Sequence, residues 1–244
     1  MSQVKLIVSN WKMNFSFDQA ENFVKKLKKI KFDTLKVNNI ICPQFILMPL
    51  VSKLIKNTNI NLGAQDCHYK LNGAFTGDTS VELLKNLNCN YIILGHSERR
   101  QNHFETDELI NFKVKTVKSE KLKPIICIGE NFKERESGKY KEILKKQLQR
   151  CIPSNLDEII IAYEPIWSIG TGHIPSIKEI KEIQDLTINF LKMSKSINNI
   201  YFLYGGSVNA DNLGNIMNSS DINGALIGGS SLKIEEMKNI LTLC

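Results

Sequence analysis

"IIIAYEPIWSIGTG" occupies Ile159–Gly172, and the fold turns on how this stretch is read. Three isoleucines, Ala162 and Tyr163 form a short apolar run without strict alternation, the pattern of a parallel strand buried on both faces. The run stops at a carboxylate, Glu164, set directly before Pro165. Pro165-Ile166-Trp167 is stiff, whereas Ile169-Gly170-Thr171-Gly172 is loose. A buried strand that ends in a glutamate and hands over to such a loop places one acid at a rim.

Runs of the same kind recur on both sides of it. Before it stand Lys5–Asn10, Asn38–Cys42, Ile60–Ala64, Tyr91–Gly95 and Pro124–Gly129; after it stand Ile200–Tyr204 and Gly224–Ile227. Helical periodicity fills the gaps, the longest segments being Asp107–Glu120, Lys139–Arg150 and Ile177–Lys195. Ser16-to-Gln19, Thr79-to-Glu82 and Ser176-to-Glu179 have the spacing of a capping box. The alternation continues along the chain, and no linker, low-complexity tract or charge block divides it. Eight β/α units in 244 residues predict one α/β domain over residues 1–244, closed as a (β/α)8 barrel. An open doubly wound sheet is the alternative, but no G-x-G-x-x-G follows the first strand.

The net charge of +7 is compatible with nucleic acid, a membrane surface or a small anionic substrate. Lys25, Lys26, Lys28 and Lys29 interleave with Val24, Leu27 and Ile30, and Lys145, Lys146 and Arg150 flank Leu144 and Leu148. These are solvated helix faces, so neither nucleic acid nor a membrane is expected as a partner. No apolar run approaches the roughly 20 residues of a membrane helix, and Lys5–Val8 is too short for a signal-peptide core. Six scattered cysteines form no C-x-x-C pair. Cys42 and Cys127 read as packed thiols, which suits a reducing cytoplasmic setting. Cys67 and His68 are adjacent, not at ligand spacing, so no metal is expected.

Barrels of this kind carry their sites at the C-terminal ends of the strands. Read there, the first run ends in Asn10 and leads to Lys12, and the third leads to Gln65. The fourth leads to His96, Ser97 and Glu98, and the sixth to Glu164. The seventh and eighth lead to Gly205-Gly206-Ser207 and Gly228-Gly229-Ser230. Singly, each has an ordinary explanation: a solvated lysine, a structural histidine, a strand-capping acid, plain glycine turns. Together on one rim they describe a chemistry. A carboxylate abstracts a proton, a neutral imidazole donates to an oxygen that becomes anionic, and a lysine adds positive charge. Glycine turns before helix starts offer N–H groups to a phosphate. The reaction class is proton abstraction beside a carbonyl on a small phosphorylated molecule.

The motifs "NWKMN" (Asn10–Asn14), "GAFTGD" (Gly73–Asp78), "GHSERR" (Gly95–Arg100), "CIGE" (Cys127–Glu130), "AYEPIWSIGTG" (Ala162–Gly172), "YGGSV" (Tyr204–Val208) and "GGSSL" (Gly228–Leu232) closely resemble those of the triosephosphate isomerase family, in family order and over nearly the whole chain. The resemblance implies a TIM barrel that interconverts dihydroxyacetone phosphate and glyceraldehyde 3-phosphate without cofactor or metal. It implies Glu164 as base, His96 as neutral electrophile and Lys12 as electrostatic residue. It places Asn10 beside them, Glu98 behind the lysine with Ser97 in support, and Gly170, Ser207, Gly228 and Gly229 at the phosphate. It also implies a lid closing over the substrate, and a homodimer in which Gly73–Asp78 reaches toward the partner's Lys12.

Three departures stand out. Asp78 replaces a glutamate that pairs across the family's interface with an arginine matched here by Arg99. His173-Ile174-Pro175 replaces the usual end of the lid. Phe15 stands where a small residue is common. Another phosphate-binding barrel enzyme is the competing function, but it leaves the combination of Lys12, His96 and Glu164 unexplained, as does a non-catalytic scaffold.

Overall fold

A computed structural model describes residues 4–154, 156–171 and 173–243. Strand and helix alternate through β1 (Lys5–Asn10), α1 (Phe17–Leu27), β2 (Val37–Cys42), α2 (Met48–Ile55), β3 (Ile60–Ala64), α3 (Val81–Asn86) and β4 (Cys89–Leu94). They continue through α4 (Ser97–Asn102), α5 (Asp107–Ser119), β5 (Lys123–Ile128), α6 (Phe132–Glu136), α7 (Tyr140–Cys151) and β6 (Glu158–Tyr163). The last elements are α8 (Ile177–Lys195), β7 (Asn199–Tyr204), α9 (Ala210–Ser220), β8 (Gly224–Ile227) and α10 (Ile234–Leu243). Each strand pairs in parallel with the next, and β8 returns to β1 with Leu6 opposite Gly224. The sheet is therefore a closed barrel, and the open-sheet alternative is excluded.

Closure explains the apolar runs. Alternate residues such as Val8, Ile40, Ile93, Ile125, Ile160 and Leu203 fill the barrel interior. Their neighbours, including Ile7, Ile41, Ile92, Ile126, Ile161 and Phe202, pack outward on the helices. With both faces buried, a strand has no polar side to show. The predicted strands lie within a residue or two of the observed ones. Gly95 falls outside β4 because its φ of 67° turns the chain out of the strand. The lysine faces behave as expected: Lys25, Lys26, Lys28 and Lys29 are exposed, and Phe23, Val24 and Leu27 are buried.

The capping boxes at Ser16 and Ser176 form, with Gln19 and Glu179 reaching back to the cap. The one expected from Thr79 does not. Ser80 is the cap of α3, and its hydroxyl accepts from Glu82 N. Two adjacent hydroxyl residues compete there, and the helix starts from the later one. Phe15 adopts a φ of 71° and packs within 4.8 Å of Trp11 and 5.2 Å of Phe23, ring centre to ring centre. This departure thus builds an aromatic cluster that supports the turn after β1.

Candidate active site

Glu164, at the end of β6, is 2% exposed. Its Oε1 lies 3.3 Å from His96 Nε2, and its Oε2 accepts the Ser97 N–H at 3.4 Å. The Cys127 thiol faces the same carboxylate and helps to hold its charge. Burial pushes its pKa above the ordinary glutamate value, against the opposing pull of His96, the Ser97 amide, Lys12 and the thiol. Two glycines make room for it. A Cβ on Gly129 would fall 1.8 Å from the Glu164 carbonyl oxygen, and one on Gly205 would fall 2.8 Å from Glu164 Cγ.

His96 is the N-cap of α4, and its Nδ1 accepts the Glu98 N–H at 3.1 Å. That bond needs a lone pair on Nδ1, so the ring proton sits on Nε2, facing Glu164. Lys12 follows β1 with a φ of 51°, a left-handed conformation unfavourable to a side-chain-bearing residue. Its N–H is held by Asn10 Oδ1 at 3.0 Å and its carbonyl by Gln65 Nε2 at 2.9 Å. The same Gln65 nitrogen reaches the Cys42 carbonyl at 2.9 Å, fastening the turn after β1 to β2. Lys12 Nζ pairs with Glu98 Oε1 at 2.6 Å.

A cavity of about 200 Å³ opens at this rim. Asn10, Lys12, His96, Glu164, Gly170, Ser207, Gly228 and Gly229 all line it, joined by Gly205, Gly206 and Ser230. Every residue singled out for catalysis or substrate binding thus faces one small space, while Ser97 and Glu98 stand behind it. Gly228 lies beside the Lys12 stem, and the chain enters a single 3-10 turn at Gly229–Leu232. Ser168 Oγ accepts from Ser207 N at 3.3 Å and lies 3.2 Å from the Tyr204 hydroxyl, so the loop after β6 rests on the glycine turn after β7. Gly172, at the tip of that loop, lies outside the described residues. No group of three or more His, Cys, Asp or Glu side chains placed to hold a metal occurs among the described residues.

Beside the cavity, Arg99 donates to Glu105 at 2.7 Å and meets Asp66 at 2.9 Å. Lys113 Nζ reaches the same two acids at 2.6 and 2.8 Å. Burial, helped by Glu105, pushes Asp66 up to about 6 against Lys113 and Arg99. Despite its own burial, Glu105 is held below the usual range by Lys113 and Arg99. Arg99 is therefore engaged within its own chain, while Asp78 stands 4.0 Å from His68. Phe75 lies over the His68 ring, 4.0 Å between centres.

The sequence did not mark the Cys127 thiol as a partner of Glu164. The two-residue period would have found it, since Cys127 pairs with Ala162 and both face the barrel interior. Nor did it assign Glu130 or Ser168. Glu130 is fully buried, and its Oε1 accepts from Tyr163 at 3.0 Å and Trp167 at 3.1 Å.

Among known proteins, the family model described as Triosephosphate isomerase matches residues 5–244. The triosephosphate isomerase of Dictyoglomus thermophilum is 40% identical, the match covering 97% of this chain and 98% of the relative. Those of Alkaliphilus oremlandii and Mycoplasmopsis pulmonis are each 41% identical over 97% of this chain, and over 98% and 96% of the relatives. A closed eight-stranded barrel, its acid, imidazole and lysine on one rim, and likeness from β1 through α10 converge, and the chain belongs to the triosephosphate isomerase family.

Proposed function

We propose that the chain interconverts dihydroxyacetone phosphate and D-glyceraldehyde 3-phosphate, as one domain over residues 1–244. The observation that carries this reading is the 3.3 Å approach of Glu164 to His96 Nε2 in a cavity that Lys12 also lines. The substrate phosphate sits against Gly170, Ser207, Gly228 and Gly229, and Asn10 lies beside its carbonyl end. Glu164 removes a proton from the carbon next to the carbonyl. His96 donates from Nε2 to the oxygen that gains charge, and Lys12 stabilises the enediolate. Return of the proton to the neighbouring carbon, while the adjacent hydroxyl gives up its proton to become the new carbonyl and the former carbonyl oxygen becomes the hydroxyl, completes the isomerisation. Glutamate base and neutral imidazole are the family's established pair. A raised Glu164 pKa suits a base that works near neutral pH. Closure of the loop after Glu164 excludes water and strengthens each of these interactions.

A homodimer fits the exposed surface. Met13, Ile46, Leu83 and Phe104 are large apolar side chains left in solvent. A second cavity beside Lys12, lined by Met13, Phe45, Ile46 and Gln65, offers a seat for the Gly73–Asp78 loop of a second copy. Light scattering at assay concentration decides the oligomeric state, and a fully active monomer removes this role from the loop. No helix among the described residues is long and apolar enough to cross a membrane. A cytoplasmic place in glycolysis and gluconeogenesis follows from the activity.

The test is an assay on dihydroxyacetone phosphate coupled to a glyceraldehyde 3-phosphate dehydrogenase. Glu164→Gln keeps size and burial but removes the base, and turnover should fall at least about 10²–10⁴-fold. Near-normal turnover in that variant defeats the mechanism.

A further inference from the structure

We infer that Arg135 is a positioning residue that ties the two ends of the loop between Glu164 and Ser176 to one point, and so governs its closure. The inference rests on the lid proposed above.

Arg135 lies on α6, away from the cavity. Its guanidinium is spread over the Tyr140 ring, 4.1 Å from the ring centre, and Tyr140 is itself held by a hydrogen bond to Glu182 at 3.0 Å. The plane of the fork is thereby fixed. One arm, Nη2, donates to Glu179 Oε1 at 2.7 Å. The other oxygen of Glu179 accepts both the N–H and the hydroxyl of Ser176, each at 2.8 Å. Ser176 is the N-cap of α8, the first residue after the loop. The second arm, Nη1, faces Glu130 Oε1 at 3.6 Å. That oxygen takes the Trp167 indole N–H and the Tyr163 hydroxyl, and the Glu130 carbonyl takes the Ile166 N–H. One guanidinium therefore addresses two acids, each fastened to a different end of the same loop.

The two arms are unequal. The Glu179 contact is short. The Glu130 contact is beyond hydrogen-bond reach, and both Nη1 and Glu130 Oε2 are buried without a hydrogen-bond partner. Nη1 is thus a buried donor a few tenths of an ångström beyond reach of Oε1, an oxygen already shared by Trp167 and Tyr163, and the pair favours a second arrangement in which they meet. Trp167 shares that carboxylate, so a shift of Trp167 is the movement that lets them meet. The far end at Ser176 is pinned, and the near end at Trp167 carries the two-state element. A lysine does not reproduce this geometry, because its point charge lacks the planar fork that lies over Tyr140 and extends one arm toward each acid.

The experiment uses the full chain with Arg135→Met and Arg135→Lys. Three quantities are read: thermal stability, inorganic phosphate released per isomerisation turnover, and the ¹⁹F spectrum of 5-fluorotryptophan protein titrated with inorganic phosphate. An enediolate that escapes a poorly closed lid re-forms its carbonyl and expels phosphate with the electrons of the broken C–O bond. Arg135→Met should raise phosphate release per turnover about tenfold, or about 1.4 kcal/mol between the competing steps. It should also displace the free-state Trp167 resonance and leave that of Trp11, packed between Phe15 and Phe23, unmoved. Arg135→Lys should recover stability and leave both lid readouts altered. Wild-type phosphate release and Trp167 response in Arg135→Met, with only stability lowered, overturn the inference, as does full recovery by lysine. If Arg135→Met does not fold, Arg135→Lys decides alone. Wild-type protein that fails to isomerise overturns the proposed function instead, and the Trp167 titration still tests Arg135.

Discussion

The backbone N–H of Glu98 donates to Nδ1 of His96 at 3.1 Å, and this single bond selects the tautomer. The only ring nitrogen left to carry a proton is Nε2, which faces Glu164 and the cavity. In ¹⁵N-labelled protein, His96 is expected to show a protonated Nε2 and an unprotonated, hydrogen-bonded Nδ1 at neutral pH. The reverse tautomer contradicts the role given to the imidazole.

Gly205 marks where the carboxylate has least room. A methyl group there would stand 2.8 Å from Glu164 Cγ and 3.4 Å from Oε1. Gly205→Ala should fold, since the contact is with a side chain and not with backbone. The displaced base should cost about tenfold to a hundredfold in turnover, the order lost when a reacting group shifts by about 1 Å. Turnover equal to wild type means the carboxylate is not held where it works.

The Asp66 cluster predicts a pH signature. Folded Asp66 takes its proton near 6, whereas its ordinary value is 3.8. Between those values the folded chain binds more protons than the unfolded one, so this group adds stability as pH falls through about 6. Asp66→Asn lacks that gain. From pH 7 to pH 5 the unfolding free energy of wild type, read from urea titration, should therefore rise relative to that of Asp66→Asn, by up to about 1.4 kcal/mol per pH unit. A constant difference between the two proteins excludes the titration.

Pro175 is buried and directly precedes Ser176, whose side chain caps α8. It presets that helix and is not expected to belong to the moving part of the loop. Pro175→Ala should keep turnover within about threefold, and structures with and without bound phosphate should superpose at Ile174 and Pro175. A change of about tenfold, or roughly 1.4 kcal/mol in the barrier, would place it in the hinge.

The strands were legible because burial on both faces leaves a chemical trace, short runs rich in Ile, Val and Leu without strict alternation, clearest in β5 and β6. The rim residues were legible because each directly follows such a run. What escaped the sequence depends on neighbours far along the chain. Gln65 was seen after β3, but that its amide fastens the turns after β1 and β2 is visible only once those turns lie side by side. Gly129 and Gly205 look like ordinary turn glycines until the backbone and side chain of Glu164 are found against them. Arg135 reads as one more charged residue in "FKERE", because nothing local says that Glu130 and Glu179 flank its fork. The cap of α3 fell one residue late because Thr79 and Ser80 are chemically equivalent candidates.

The closure of β1 on β8 has a consequence for how the protein is made. Lys5 Nζ donates to the Ile222 carbonyl across 217 positions of sequence, so β1 leaves the ribosome long before its second neighbour is made. At about 5–20 residues per second, β1 waits roughly 10–40 s with one edge unpaired. An open edge of this kind is a template for wrong pairing. A chain halted before β8 carries two such edges, on β1 and β7. Arrested synthesis should therefore yield chains that pair with one another, while the addition of the last short strand converts the same polypeptide into a molecule with no edge to offer.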